Sequence, residues 1–423
     1  MKTGYPSRPY AWTVVAILIA TAILSYTDRQ VLSLLVDPIR GELHISDQQV
    51  GYLLGAAFAV VYGVAGIPLG LLADRTSRRN LIFGGVLVWS CGTLACGLSQ
   101  TFGQLFAARI VVGLGEAVLS PAAISLISDY FPPSRRGTAV GCFLSGIAMG
   151  IGAAILIGGG VLHFVESGAL AGTPLAAQPA WRLVLLFIGA PGLVWSLAIL
   201  LIREPVRQAT QKPAGIAGTD AVPSVTTWVR VAPIFLVVAL ASLVDNAVGG
   251  WSPTLLIREF GKDPAQVGVE LGLLLTAGFG GGVLLGGWLA DRAAVRGGWS
   301  RKLGVCLVSG LLILPASLLI NTAQFTSALL SIPLYFALSG IVTASGFSAI
   351  LDVVPNRSRG LAMAISFFLN VAVGAGVGPT AVTFASDHVF GPAAGLGPAI
   401  TLTVCGGYAL AILALLYARR PQR

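Results

Sequence analysis

The chain has 423 residues, of which 55% are hydrophobic and only 10% are charged, and its mean hydropathy is +0.85. Soluble domains carry roughly 25% charged residues, so this composition excludes a water-soluble globular protein and indicates an integral membrane protein. The net charge of +9 would suit a nucleic-acid partner, but no basic domain lies outside the apolar segments. We therefore expect no nucleic-acid binding.

Twelve apolar segments are each long enough to cross a bilayer, which takes about 20 residues per helix. A polar stretch rich in Pro, Thr, Ala and Gly separates the sixth segment from the seventh. The pattern predicts an all-α membrane protein with six-helix domains at 1–202 and 229–423 and a cytoplasmic linker at 203–228. The predicted segments are 10–36, 48–72, 80–98, 103–130, 136–163, 182–202, 229–256, 266–290, 302–320, 325–351, 359–385 and 396–418.

The basic residues predict the orientation. If the N-terminus is cytoplasmic, most Lys and Arg residues fall at the termini and in cytoplasmic loops, as the positive-inside rule requires. This placement leaves Arg40, Arg182, Arg258 and Lys262 outside, and Arg29 and Arg109 within helices. Both termini are therefore expected in the cytoplasm.

Buried charges point to a site. Asp28 and Arg29 lie inside the first apolar segment, where an ionised side chain costs roughly 2.5 to 3.5 kcal/mol, so such residues usually face a cavity and act there. The fourth segment adds Arg109 and Glu116, seven residues apart on one helical face. Because helix 1 runs outward and helix 4 runs inward, these charges reach similar depths.

The charge types suggest separate roles. A buried carboxylate changes protonation when its cavity opens or when an anion occupies a neighbouring Arg. A guanidinium stays charged when buried and presents a fork to an anion. We hypothesise that Asp28 and Glu116 exchange a proton, and that Arg29 and Arg109 hold a phosphate or carboxylate. The alternative is an ion pair between helices 1 and 4 that only fixes their packing.

The two halves carry an internal repeat. Gly70–Arg75 (GLLADR) recurs 217 positions later as Gly287–Arg292 (GWLADR), and at the same offset Asp28 matches Asp245. This predicts two pseudo-symmetric bundles with substrate bound between them. The second half has fewer charges: Asp245 is followed by Asn246, and Ser339 stands in the position of Glu116. We expect coupling in the first half, and a secondary cavity surface with Asp245 and Asn246 in the second.

These motifs resemble those of a known family. GLLADRTSRR at Gly70–Arg79 and the run from Arg109 to Gly115 are similar to the signatures of the major facilitator superfamily. Thr27-Asp28-Arg29, Gly115-Glu116-Ala117 and Ser128–Gly137 resemble spinster-like transporters. The resemblance implies proton-coupled, alternating-access transport of an amphiphilic anion, a lysophospholipid or sphingoid phosphate, by a functional monomer in a bacterial inner membrane.

The resemblance also implies a cytoplasmic gate. Asp74 would meet the positive N-terminal end of helix 11 near Gly360, with a mirror contact from the second half near Gly137. Loop solvation and topology are the alternative explanation for these charges. The predicted gate residues are Gly70, Asp74, Arg75, Arg78, Asp129, Arg135, Arg136, Asp291 and Arg292.

Other functions remain open or are disfavoured. Tyr26-x-Asp28-Arg29 also resembles anion–cation symporters of small organic or sugar acids, and a non-transporting receptor or scaffold is a remote alternative. The stretch Gly146–Gly152 has no proline, which disfavours a drug–proton antiporter. No phosphate-binding glycine loop occurs, and the histidines fall at external loops. We therefore expect no cofactor, no metal and no enzymatic activity.

Overall fold

The computed structural model describes residues 5–205, 207, 225–322, 324–355, 358–391 and 394–419. Within these ranges the chain forms fifteen α-helices and no β-strand. The helices are α1 Arg8–Gln30, α2 Val36–Leu43, α3 Asp47–Leu54, α4 Ala56–Arg75, α5 Arg78–Leu98, α6 Phe102–Glu116, α7 Leu119–Tyr130, α8 Pro133–Glu166, α9 Ala180–Ile199, α10 Val225–Phe260, α11 Pro264–Leu318, α12 Phe325–Val353, α13 Arg359–Leu369, α14 Gly376–Ala385 and α15 Gly397–Ala418.

Twelve helical stretches are long and apolar enough to cross a membrane, which confirms the predicted fold class. Helix α10 begins at Val225, inside the predicted linker. Helix α11 contains both the eighth and the ninth spans, and Gly298, at φ +65°, turns the chain between them. The spans are Arg8–Leu34, Asp47–Gly66, Arg78–Leu98, Phe102–Tyr130, Met149–Glu166, Ala180–Ile199, Thr227–Phe260, Pro264–Val295, Gly298–Asn321, Phe325–Val353, Leu361–Phe390 and Gly397–Ala418.

The helices form two bundles. In the first, α5 packs on α6 and α9, and α1 packs on α8; in the second, α10 packs on α12 and α15, and α11 packs on α12. The bundles meet where α8 lies on α11 and where α3 lies on α14. Because the number of spans is even, the first span begins and the last span ends on the same side, here called the terminal face, and the opposite side is called the far face.

Two predicted spans are interrupted. The second is broken at Gly55 between α3 and α4, and the fourth is broken at Ala117–Val118 between α6 and α7. Pro121 explains the break in the fourth span, because proline lacks an N–H and its ring clashes with the carbonyl of residue 117, one turn earlier. The eleventh span instead contains two π-helical stretches, Asn370–Ala375 and Ser386–Phe390. Interruptions of this kind free backbone carbonyls inside the membrane.

The bundles touch closely on the far side of the molecule. An added Cβ on Gly159 of α8 would lie 2.7 Å from the Cα of Gly268 on α11, and one on Gly51 of α3 would lie 3.1 Å from the Thr383 hydroxyl on α14. Such close approach through small residues is the usual way that membrane helices pack tightly. Thr254 of α10 adds a hydrogen bond of 3.1 Å to the Ser33 carbonyl.

Arg258 forms ion pairs across this far-face contact. It lies near the end of α10 in the second bundle and donates to Asp37 at 2.7 Å, on the first bundle. Its two terminal nitrogens also donate hydrogen bonds to the two carboxylate oxygens of Asp47, at 2.8 and 2.9 Å. This bidentate geometry is the strong form of an arginine–carboxylate pair. Sequence reasoning placed Arg258 outside the membrane but did not identify this contact.

We expect Arg258→Ala to loosen the far face. These side chains are partly exposed, so the loss should be about 1 kcal/mol, which corresponds to roughly fivefold faster opening. Hydrogen–deuterium exchange of residues 252–263 would measure it. Arg182→Ala is the matched control, because it breaks an ion pair with Glu42 inside the first bundle. Equal exchange rates in both variants would contradict an interbundle role for Arg258.

Candidate functional site

Arg29 and Glu116 form an ion pair at the centre of the first bundle. Arg29 lies near the end of α1 and donates to Glu116, the last residue of α6, at 2.8 Å. The Glu116 side chain is fully buried, whereas that of Arg29 is 14% exposed. The guanidinium also lies 3.9 Å from the Phe58 ring centroid and 4.8 Å from that of Tyr26. Arg29 is thus a partly accessible cation on an aromatic surface.

Glycines set the position of Glu116. A Cβ on Gly113 would lie 2.8 Å from the Phe58 carbonyl oxygen, and one on Gly115 would lie 2.6 Å from the Trp89 backbone nitrogen. These two residues therefore let α6 touch α4 and α5 directly. Larger side chains would push the helix away and separate Glu116 from Arg29.

Asp28 is buried without a hydrogen-bond partner. The residue is 2% exposed, and no described protein atom donates a hydrogen bond to either carboxylate oxygen. An ionised carboxylate without a hydrogen-bond donor is costly in an apolar interior, so its charge must be balanced there by a nearby cation or by a proton. Asp28 therefore has the surroundings of a group that exchanges a proton.

Arg109 is held by backbone carbonyls. Its Nε donates to the Leu53 carbonyl at 3.2 Å, and its Nη1 donates to the Asp28 carbonyl at 3.3 Å. Both carbonyls lie near interruptions, where α3 gives way to Gly55 and α1 gives way to the 3₁₀ turn Val31–Leu34. The C-terminal end of a helix carries partial negative charge, which explains why these carbonyls attract the guanidinium of Arg109. Because Arg109 is 1% exposed, Arg29 is the more accessible of the two predicted anion-binding arginines.

The second bundle carries a different polar cluster at the predicted secondary position. Asp245 Oδ1 accepts hydrogen bonds from Tyr335 at 2.7 Å and from Ser339 at 2.6 Å, and Ser339 accepts one from Tyr408 at 3.0 Å. Asn246 instead donates to the Ser242 carbonyl, at 2.9 Å. Sequence reasoning missed both tyrosines, although the spacing of Tyr335 and Ser339 by four residues places them on one helical face.

The predicted gate residues are only partly brought together. Arg78 pairs with Asp129 inside the first bundle, while Arg75, Arg135, Asp291 and Arg292 are exposed. Arg292 lies on the Trp288 ring, at 3.9 Å. An added Cβ on Gly70 would lie 3.9 Å from Pro121 of the same bundle. The structure does not describe the side chains of Asp74 and Arg136 or the surroundings of Gly137 and Gly360. The gate therefore stays a prediction.

Glu204 belongs to this terminal-face cluster and was not predicted. It accepts hydrogen bonds from Arg78 Nε at 2.8 Å, from the Arg79 backbone N–H at 2.9 Å and from the Ser77 hydroxyl at 3.0 Å. Burial alone would raise the pKa of Glu204, but these hydrogen bonds outweigh it and hold the pKa below its usual value. Glu204 thereby anchors the chain that follows α9 to the start of α5.

Twelve spanning helices in two bundles, with ionisable side chains buried at the centre of one, define a polytopic membrane transport protein. The chain belongs to the major facilitator superfamily, whose family model matches residues 18–379. Members of this family are transporters rather than enzymes.

Three comparisons illustrate the relationship. An "MFS-type efflux pump" of Mycolicibacterium smegmatis is 32% identical over 93% of this chain and 89% of its own. A "Hexuronate transporter" of Bacillus subtilis is 26% identical over 89% and 88%. A crystal structure of a bacterial homologue of the human lysosomal transporter Spinster, inward-facing and unoccupied, has a TM-score of 0.82 at 26% identity and covers 99% of this chain and all of its own. The expected spinster-like resemblance is confirmed.

Glu204 gives a pH prediction. Because its pKa is lowered in the folded state, its stabilising contribution is present above the ordinary glutamate range near pH 4.3 and is lost as the pH falls through the folded value. At pH 7 we expect Glu204→Gln to unfold at a temperature roughly 2 °C lower, about 1 kcal/mol, with the difference shrinking as the pH falls below about 4. Thermal unfolding at several pH values measures this. Glu270→Gln is the control, and a difference independent of pH would contradict the assignment.

Proposed function

We propose that this protein is a proton-coupled secondary transporter of an organic anion, working by alternating access. The observation that carries the proposal is Arg29, a partly accessible cation paired with Glu116 next to the unpartnered acid Asp28. The protein would act in a bacterial inner membrane, with both termini cytoplasmic and the terminal face open to the cytoplasm.

Charge balance supplies the coupling. Asp28, Arg29, Arg109 and Glu116 together are neutral when all four are ionised. An arriving anion adds one negative charge in a region of low dielectric, where unbalanced charge is costly. Protonation of Asp28 or Glu116 restores neutrality. Anion and proton therefore favour each other's binding, which is the requirement for coupled transport.

An amphiphilic anion is the proposed substrate. Helix α4 and the eleventh span lie together near Gly55 and Gly63, and an added Cβ on Gly63 would lie 3.7 Å from the Phe368 ring. Among the described residues, none lies within 4 Å of an added Cβ on Gly66. The two spans thus separate toward the terminal face, and Phe368 beside the gap is 45% exposed. A hydrocarbon chain could extend through this apolar gap while its phosphate contacts Arg29. The mycobacterial relative's name, an efflux pump, agrees with outward movement.

A sugar acid or another small organic acid is the second candidate. It is favoured by the Bacillus subtilis relative, which is named a hexuronate transporter and aligns over 88% of its length. Polar groups at Asp245 and Asn246 would suit sugar hydroxyls. The carboxylate would occupy the same position at Arg29.

Ligand-induced thermal stabilisation distinguishes the two candidates. A ligand at 100 times its Kd adds about 2.7 kcal/mol of apparent stability. We expect lysophospholipids or sphingoid phosphates to stabilise the wild type but not Arg29→Ala. Arg79→Ala, a substitution at the terminal end of α5, controls for the loss of one charge in detergent. Stabilisation by hexuronate or galactonate alone would support the second candidate, and equal stabilisation of Arg29→Ala would overturn the site.

Neutral variants test proton coupling. In proteoliposomes, Asp28→Asn and Glu116→Gln should each lower proton-gradient-driven accumulation at least tenfold, about 1.4 kcal/mol of driving force, because neither variant can exchange its proton. Substrate exchange without a gradient should persist. Glu116→Gln should also bind the anion more tightly, since it no longer competes for Arg29. Asp387→Asn, an exposed acid, is the control. Full gradient-driven transport by Glu116→Gln would show that its proton role is wrong.

A further inference from the structure

The second bundle contains an acid that the coupling scheme leaves unused. Asp245 on α10 accepts hydrogen bonds from Tyr335 and Ser339 of α12, and Tyr408 of α15 donates to Ser339. The three hydroxyl-bearing residues are at most 1% exposed. Three helices therefore fix the orientation of one carboxylate, an arrangement that holds a functional group in place.

One oxygen of this carboxylate has no hydrogen-bond donor among the described residues. Both hydroxyls donate to Oδ1, whereas no described residue donates a hydrogen bond to Oδ2, and Asp245 is partly exposed. No ion pair to Asp245 is formed by the Lys and Arg side chains that the structure describes. Oδ2 is therefore an oriented acceptor with spare capacity for a donor from outside the protein.

Asp245 lies on a helix that contacts the residue next to Arg29. Gly249 follows Asp245 by four residues on α10, about 6 Å along the helix. An added Cβ on Gly249 would lie 3.8 Å from the side-chain nitrogen of Gln30, the residue after Arg29. Asp28 and Asp245 also occupy equivalent positions in the internal repeat. Arg29 and Asp245 thus lie on helices that meet at one contact between the bundles, where Arg29 supplies a cation and Asp245 a hydrogen-bond acceptor.

We propose that Oδ2 of Asp245 accepts a hydrogen bond from the substrate, and that the substrate is an anion which also carries a hydroxyl or ammonium group near its anionic head. This inference rests on the proposed function, in which Arg29 holds the anion. Lysophospholipids, sphingoid phosphates and sugar acids all meet the requirement. Simple alkyl phosphates and fatty acids carry the anionic group but lack the hydroxyl or ammonium donor.

The test compares ligands that differ in the donor group. Purified full-length protein is titrated with dodecyl phosphate, which has no such donor, with a 1-acylglycerol phosphate, which has a hydroxyl, and with a sphingoid phosphate, which has an ammonium. The wild type should bind the two donor-bearing compounds about 10- to 100-fold more tightly, the range expected for a hydrogen bond to a charged group. Gluconate against hexanoate makes the same comparison for small acids.

Variants assign that preference to Asp245. Asp245→Ala should reduce the preference to within about twofold while leaving the Kd for dodecyl phosphate unchanged, since only the donor contact is lost. Asp245→Asn has nearly the same shape, and its one oxygen stays with Tyr335 and Ser339, so an amide NH2 replaces Oδ2. A substrate hydroxyl can accept from this NH2, whereas an ammonium cannot, so the variant should retain part of the hydroxyl preference and lose most of the ammonium preference. It also serves if the alanine variant does not fold. Tyr417→Phe is the matched control, because it removes a tyrosine hydroxyl from an exposed position of the same helix α15, and it should keep the wild-type preference.

The outcomes separate this inference from the function on which it rests. A donor preference that survives in both Asp245 variants, or an equal loss of affinity for every ligand, would overturn the role of Asp245 while leaving the anion site intact. Binding that is insensitive to Arg29→Ala would overturn the proposed function, and the inference with it. Loss of the preference in the Asp245 variants alone supports the assignment.

Discussion

The buried ion pair between Arg29 and Glu116 is the interaction on which the centre of this transporter depends. It joins the first span to the fourth where water is largely excluded, so neither charge is stable there without the other. Removing one partner of a buried pair typically costs about 3 to 5 kcal/mol, because the remaining charge stays uncompensated. An anion that reaches Arg29 must compete with Glu116 for it. Under the proposed function, that competition would link substrate binding to the protonation of a carboxylate.

Interruptions in the helices make this centre possible. Continuous helices would use all their carbonyls internally, whereas the breaks near Gly55 and after Gln30 free carbonyls that accept from Arg109. Arg109 can therefore stay charged and buried without a carboxylate partner. The break after Glu116, caused by Pro121, ends α6 at the acid itself. The membrane tolerates such irregular backbone only where protein groups satisfy it.

The two bundles share ancestry in their sequence but differ in chemistry. In the first bundle, charges surround Asp28, whereas in the second, hydroxyls from Tyr335 and Ser339 surround Asp245. A cluster of buried charges costs free energy and changes its protonation state, whereas a network of neutral hydroxyls orients one acceptor at a lower cost in free energy. The difference suits a division between coupling on one side and recognition on the other. Arg258 links the two bundles at the far face.

The sequence by itself determined the fold class and the main charged residues. Twelve apolar segments require twelve spanning helices, because in lipid every backbone polar group must be satisfied within the segment. Asp28, Arg29, Arg109 and Glu116 stood out because charge is rare and costly in such segments. These are properties of single residues in a known solvent, so they can be predicted without knowing what packs against what.

Only the tertiary structure decided which of these residues meet. Arg258 with Asp47 and Glu204 with Arg78 join residues more than a hundred positions apart in the sequence, and Asp245 with Tyr335 joins residues 90 positions apart. Arg109 contacts backbone carbonyls rather than a carboxylate. Every residue has a carbonyl, so this contact could not be predicted from the sequence. A hydrogen bond depends on distances of a few tenths of an ångström, and these are set by how whole helices pack.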